Sequence, residues 1–197
     1  MPFLLAAVVT CLIGTAVAWE PYFAGDVRLA RLVQAASPAP QWWATPVSSL
    51  AQAPGKYYVM AIVFTASFFV AGWRGLALMA MFLLIEQYGA ESTKAIFKRP
   101  RPSRDLITVF GHPSGFSFPS TTLTFFAVTF GGLGILALVR GKAPMRAPTV
   151  AAGFAMVIIG CLARVALGLH WPSDVVLTSL ICTLWIWASA RVIVGKA

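Results

Sequence analysis

Long uncharged apolar runs constrain this sequence more than any other feature. The hydrocarbon core of a bilayer is about 30 Å thick and needs about 20 apolar residues per helical crossing. Six stretches approach that length, at about 2–19, 57–73, 75–93, 120–139, 148–169 and 174–194. Apolar and polar residues do not alternate in them as they would in barrel strands, so helices are expected. A composition of 59% hydrophobic and 11% charged residues points the same way, since most of such a surface has to be dissolved in lipid. The expected fold class is all-α, a six-transmembrane helical bundle making a single integral membrane domain over residues 1–197. The first run ends in Ala16-Val17-Ala18, the small-residue form of a signal-peptidase site, but no basic region precedes it. It is therefore read as an uncleaved first span.

Between the first two runs, the segment 20–56 carries prolines, the pair Trp42-Trp43 and Arg28 and Arg31, which suits the headgroup level. Within it, Val27–Val33 has the pattern of a short amphipathic helix lying in the membrane plane. Cys11, Cys161 and Cys182 all lie inside apolar runs, with no grouping of metal ligands, so they read as core residues and metal-independent chemistry without a cofactor is expected. The formal net charge of +9 comes from basic residues clustered beside membrane segments. That placement favours an anionic lipid or phosphate partner over nucleic acid. Arg74, Arg140, Lys142, Arg146, Arg191 and Lys196 fall on one side of the expected bundle, and Arg28, Arg31 and Lys56 on the other. The first side should be cytoplasmic, with both termini, and loops 94–119 and 164–173 should meet on the periplasmic or extracellular face. A bacterial cytoplasmic membrane is the expected location.

Three pieces of sequence carry chemistry. The first, Lys94-Ala95-Ile96-Phe97-Lys98-Arg99-Pro100-Arg101-Pro102, is a dense cationic cluster at a membrane boundary. Arg101 offers a planar fork for two phosphate oxygens and Lys94 a point charge, while the prolines stiffen the backbone. The second, Ser117-Phe118-Pro119-Ser120-Thr121-Thr122, places Ser120 as a helix cap, where free amides and the helix dipole favour an anion at Ser120 and Thr121. Taken alone, the first is equally a solvated basic patch and the second plain capping. The third piece is Arg164, an arginine near the end of an otherwise uncharged span, followed by His170 and Asp174. Intramembrane arginines are costly and usually functional. Pro172 suits a first helical turn, which lets the Asp174 carboxylate reach back to His170 and leave its other ring nitrogen free to attack phosphorus.

Together these pieces resemble the type 2 phosphatidic acid phosphatase superfamily, whose fold is shared with vanadium haloperoxidases, over roughly residues 75–194. Lys94 with Arg101-Pro102 corresponds to its first motif, and Arg164, His170 and Asp174 to its third. The resemblance implies that Lys94, Arg101 and Arg164 bind phosphate, His170 is the nucleophile through a phosphohistidine, and Asp174 orients it. It also implies a membrane lipid phosphate as substrate, such as a polyprenyl diphosphate, a phospholipid phosphate or a glycolipid phosphate.

Two positions depart from the family pattern. The middle motif normally ends in a histidine that protonates the leaving oxygen, where this chain has Thr122, and the serine that normally precedes the arginine of the third motif is Ala163. A threonine hydroxyl cannot serve as that acid near neutral pH. Three explanations compete: His112, the one other histidine, swings in as proton donor; the leaving group needs little protonation; or hydrolysis has been lost and lipid-phosphate binding or transport kept. Lys98, Arg99, Arg104 and Asp105 could contact phosphate or pair with one another. Glu86 and Glu91 could balance the cationic pocket or make polar contacts in the bundle.

Overall fold

Apolar helices without a wet face bury only the stripe that meets a neighbour and leave the rest to lipid. The computed structural model, which describes residues 1–195 except the side chains of Ala90 and Glu91, follows that rule. Glu91 as a balancing carboxylate and Lys196 as a flanking cation lie outside the described residues. Helices α1 (Pro2–Trp19), α2 (Asp26–Ala35), α3 (Gln41–Ser49) and α4 (Gly55–Phe97) come first. Then follow α5 (Thr121–Phe126), a π-helical segment (Ala127–Gly131), α6 (Gly132–Arg140), α7 (Arg146–Ala166) and α8 (Pro172–Ile193). No strand forms among the described residues.

Five helical stretches are long and apolar enough to cross a membrane: Pro2–Trp19, Gly55–Gly89, Thr121–Arg140, Arg146–Ala166 and Pro172–Ile193. The expected second and third runs both fall within α4. That helix is broken at Gly72 (φ 63°, ψ −159°), a conformation that a side chain would resist. Lys56 Nζ lies 3.1 Å from Glu86 Oε2, although a straight helix would hold residues thirty apart at about 45 Å. The chain therefore doubles back at Gly72, and residues 55–71 lie beside residues 73–97. Glu86 is thus a polar bundle contact with Lys56, which also bonds Gln87 at 2.8 Å.

Thr121–Arg140 is the central stretch, 72% buried where the other four are 17–33% buried. Its Leu123, Phe125, Phe126, Ile135 and Leu136 pack against Leu78 and Met79 of α4 and Ile186 of α8. Helix α1 packs along α8, where Trp185 Nε1 donates to Thr10 Oγ1 at 3.0 Å. The segment read as interfacial forms α2 and α3, both at the end of the bundle where α7 finishes. Gln34 of α2 donates to Thr108 O at 2.6 Å and Ala166 O at 3.3 Å, and Arg31 Nε donates to Leu106 O at 2.9 Å. Ala44 of α3 packs on Ala163 and Leu167. Ala163, where the family usually has serine, is therefore enclosed by apolar neighbours.

Candidate active site

The end of α4, the loop 98–120, the start of α5 and the turn joining α7 to α8 meet at one end of the bundle. Cross-loop hydrogen bonds hold them there: Phe110 N to Leu167 O at 3.0 Å, Ser117 N to Arg99 O at 2.8 Å and Trp171 Nε1 to Pro100 O at 3.2 Å. Pro172 begins α8, and Asp174, two residues on, points its carboxylate back over the helix start, where Oδ2 accepts the Trp171 amide at 2.9 Å. An acidic group in a first turn is favoured by the helix dipole.

His170 sits just before this turn and is 1% exposed. Its Nε2 is 3.4 Å from Arg101 Nη1, which also donates to Leu169 O at 2.7 Å. Arg101 Nε donates to Ser114 O and Gly115 O, so the fork is braced from both sides. On the other edge of the ring, Nδ1 is 3.5 Å from Ser117 Oγ and 3.9 Å from Asp174 Oδ2. The carboxylate therefore does not bond the imidazole directly; Ser117 donates to Asp174 and stands beside Nδ1. Burial pushes the imidazole pKa well below its ordinary 6.5, and the charges of Arg164, Arg101 and Lys94 push the same way, against a hydrogen bond with the Ser117 main chain. The ring is accordingly neutral at pH 7.

Three cations from separate parts of the chain thus act on one imidazole. Lys94 is 7% exposed, and the Nε of Arg164 is buried with no hydrogen-bond partner among the described residues. Buried polar groups nearly always have a partner, and an unsatisfied cationic donor is costly. Alongside, Ser120 caps α5 by accepting from Leu123 N at 3.4 Å, and its own amide donates to Thr178 Oγ1 at 3.2 Å. Thr121 is half-buried and Thr122 buried at the start of the helix.

Residues 75–196 match the family model of the PAP2 superfamily. The chain belongs to the PAP2 superfamily. Among solved structures, the first transmembrane PAP2 type phosphatidylglycerolphosphate phosphatase from Bacillus subtilis has the same fold, with a TM-score of 0.69 and 19% identity over 92% of each chain. No curated protein sequence matches the chain.

The remaining charges of this PAP2 chain separate by partner. His112 is exposed on the loop, and its side chain bonds nothing around His170 among the described residues. Arg104 is held by Gly111 O and Asp105 by Ser103, while Lys98 ends α4 in an exposed left-handed turn. Arg99, which the sequence left unassigned, is fully buried and bonds Asp174 Oδ1. Asp26, also in this network, carried no local signal, and Ser117 was singled out only as the first residue of the second piece, without a role. Only the requirement that a buried arginine meet carboxylates would have led to them.

Proposed function

We propose that the protein is a membrane lipid-phosphate phosphatase or phosphotransferase whose nucleophile is His170 Nε2, held in a phosphate-sized hollow by Lys94, Arg101 and Arg164. The observation that carries this reading is the grouping of those three cations on a neutral, buried imidazole with Arg101 3.4 Å from Nε2. The orphaned Nε of Arg164 is accounted for by a phosphate oxygen, which would supply the acceptor that the protein does not. The Thr121 amide adds a donor at a helix start, whereas that of Ser120 is taken by Thr178. In the first step the Nε2–P bond forms as the bond from phosphorus to the leaving oxygen breaks. In the second, water or another acceptor attacks the phosphohistidine, and Nε2 regains its lone pair. Asp174, through Ser117, keeps the ring proton on Nδ1.

An apolar cavity of about 480 Å³ supports a lipid as the phosphate's carrier. It is walled near the site by Phe97, Phe118 and Pro119 and runs down to Phe82, Val128 and Trp185 inside the bundle. Thr122 bears on the substrate. Without an acid the preferred leaving group is one that departs as an anion, and a lipid diphosphate, which expels a phosphate monoester, fits that requirement. The same threonine favours one second reading, a lipid-phosphate binder or carrier without turnover, because loss of a general acid costs about 10²–10⁴-fold.

The two limbs of α4 each crossing the bilayer would give six crossings, with the site on the periplasmic face of a cytoplasmic membrane. The chain would be one domain in which 20–56 caps that face.

Phosphate release from polyprenyl diphosphate, phosphatidylglycerol phosphate, phosphatidate and a glycolipid phosphate tests the reading. Release is expected from at least one lipid, fastest from the diphosphate, and is expected to vanish in His170→Ala. Undiminished release by His170→Ala would remove the nucleophile, and binding of all four lipids without release would establish the carrier.

A further inference from the structure

The loop 98–120 carries four cations: Arg101 faces His170, Lys98 and Arg104 are exposed, and Arg99 is buried on the far side of Asp174. The guanidinium of Arg99 is 0% exposed, and every contact it makes is with the protein. Nη1 donates to Asp174 Oδ1 and, at 3.0 Å, to Ser173 Oγ; Nη2 lies 3.4 Å from Asp26 Oδ2; Nε donates to Glu20 O at 3.3 Å. The face of the group stands over the Phe23 ring at 4.8 Å. Asp26 is as fully engaged: Oδ1 accepts the Ser173 amide at 2.9 Å, and Oδ2 accepts Ser173 Oγ at 2.6 Å and the Phe23 amide at 2.8 Å. One carboxylate therefore holds both the turn before α2 and the first turn of α8.

From these contacts we infer that Asp26 and Arg99 are positioning residues of the reaction, acting on His170 through Asp174. The inference rests on the phosphohistidine reading above. The Asp174 carboxylate is held at both oxygens: the Trp171 amide and the Ser117 hydroxyl donate to Oδ2, and Arg99 donates to Oδ1. Arg99 thus supplies the anchor and the countercharge on the side away from His170, and without it the carboxylate is free to tilt about its remaining bonds. Asp26 in turn holds Arg99 by charge and the backbone of Ser173 by hydrogen bond, which sets the helix start on which Asp174 stands. The array carries two carboxylates and one guanidinium, so loss of Arg99 leaves two buried anions with no countercharge. Asp26 lies outside residues 75–196, the part that matches the family. The start of α2 and the turn before it are thus part of the site's machinery.

The consequence of failure is specific. If Asp174 Oδ2 turns away, the Ser117 hydroxyl loses its acceptor and can donate to Nδ1 instead, which shifts the ring proton towards Nε2 against the Ser117 main chain alone, and the tautomer with its proton on Nε2 has no lone pair for phosphorus. Phosphate affinity, set by Lys94, Arg101 and Arg164, is unaffected. Asp26→Asn, nearly the same shape, should therefore lower kcat by about 10²-fold, the cost of a displacement near 1 Å at a reacting group. KM and inhibition by inorganic phosphate should stay as in the parent. Arg99→Gln should act likewise, and Arg99→Lys, which keeps a charge, should lose less.

The chain has two histidines, so in a His112→Asn background the ¹⁵N shifts of the remaining imidazole report the His170 tautomer directly. Asp26→Asn is expected to move them towards a mixture of tautomers. His170→Ala is assayed first, because turnover that survives it overturns the phosphohistidine reading itself. With that variant inactive, parent kcat and parent ¹⁵N shifts in Asp26→Asn overturn the positioning role alone. Should Asp26→Asn or Arg99→Gln not yield folded protein, Ser173→Ala decides, since it deletes one bond to each of the two residues. A reduced kcat at unchanged KM supports the role, and parent kcat overturns it.

Discussion

A histidine in a ring of cations keeps its nucleophilic lone pair at pH values where an exposed histidine has lost it. Burial and the charges of Arg164, Arg101 and Lys94 all disfavour imidazolium, so the folded pKa lies below the unfolded value of 6.5. The sign follows from proton counting. Between the folded and unfolded pKa the unfolded chain binds more protons, so stability from this group is complete above pH 6.5 and is lost as the pH falls through the folded pKa. In the His112→Asn chain, without phosphate, an NMR titration of the remaining imidazole is expected to show a midpoint below 6.5. Replacing Arg164 by Gln should raise it. A midpoint at or above 6.5 would mean that the cations do not act on this ring. At this scale the sequence was informative where a charge interrupts an apolar run, as Arg164 does, and where spacing ties charged or ionisable residues together, as it does for Lys94 with Arg101 and for Arg164 with His170 and Asp174. It was silent on the role of Ser117 and on Asp26 altogether, because their partners lie 57 and 147 residues away and leave no local pattern. Arg99 was visible as a charge, but its direction depends on which neighbours in the basic loop face inward.

The elements show the same division between local and distant causes. The apolar runs at about 2–19, 120–139 and 148–169 correspond closely to Pro2–Trp19, Thr121–Arg140 and Arg146–Ala166, because length and hydrophobicity are properties of the run itself. The π segment inside the central stretch was not legible, since packing against other helices decides it, whereas the reversal at Gly72 had a local signal in Arg74, which separates the expected runs 57–73 and 75–93. The turn between α7 and α8 depends on one residue. Gly168 has φ +66°, and a Cβ there would stand 2.0 Å from Thr108 O, on the very strip that holds loop 98–120 against the site. A left-handed residue with a side chain costs about 1–2 kcal/mol before any clash. For a chain of this size each kcal/mol lowers the melting temperature by about 2–4 °C. Gly168→Ala is therefore expected to lower the Tm in detergent by at least that much and to abolish phosphate release by separating Arg101 from His170. An unchanged Tm with full turnover would show that this close approach has no bearing on the site.

Across the whole molecule, charge is sorted by end. Arg74 flanks the turn at Gly72, Arg140, Lys142 and Arg146 flank the turn between α6 and α7, and Arg191 lies in the last turn of α8. All stand at the end opposite His170, and positive residues in short connections are retained in the cytoplasm. Because α1 reaches the site end at Glu20, whose carbonyl meets Arg99, its first residue lies at the cation-rich end with the finish of α8. The proposed six crossings, with α4 crossing twice, would place both of these ends in the cytoplasm. Cysteine labelling of intact cells and of inverted vesicles tests this, in a background with Cys11, Cys161 and Cys182 replaced by alanine. Arg74→Cys and Lys142→Cys are expected to react only in inverted vesicles, and Ser114→Cys only in intact cells. Were α4 to cross once, residue 74 would lie within the hydrocarbon and react in neither preparation. Reaction of Ser114→Cys from the cytoplasm would place the phosphate hollow on the inner face, and the substrate would then be a lipid phosphate of the cytoplasmic leaflet.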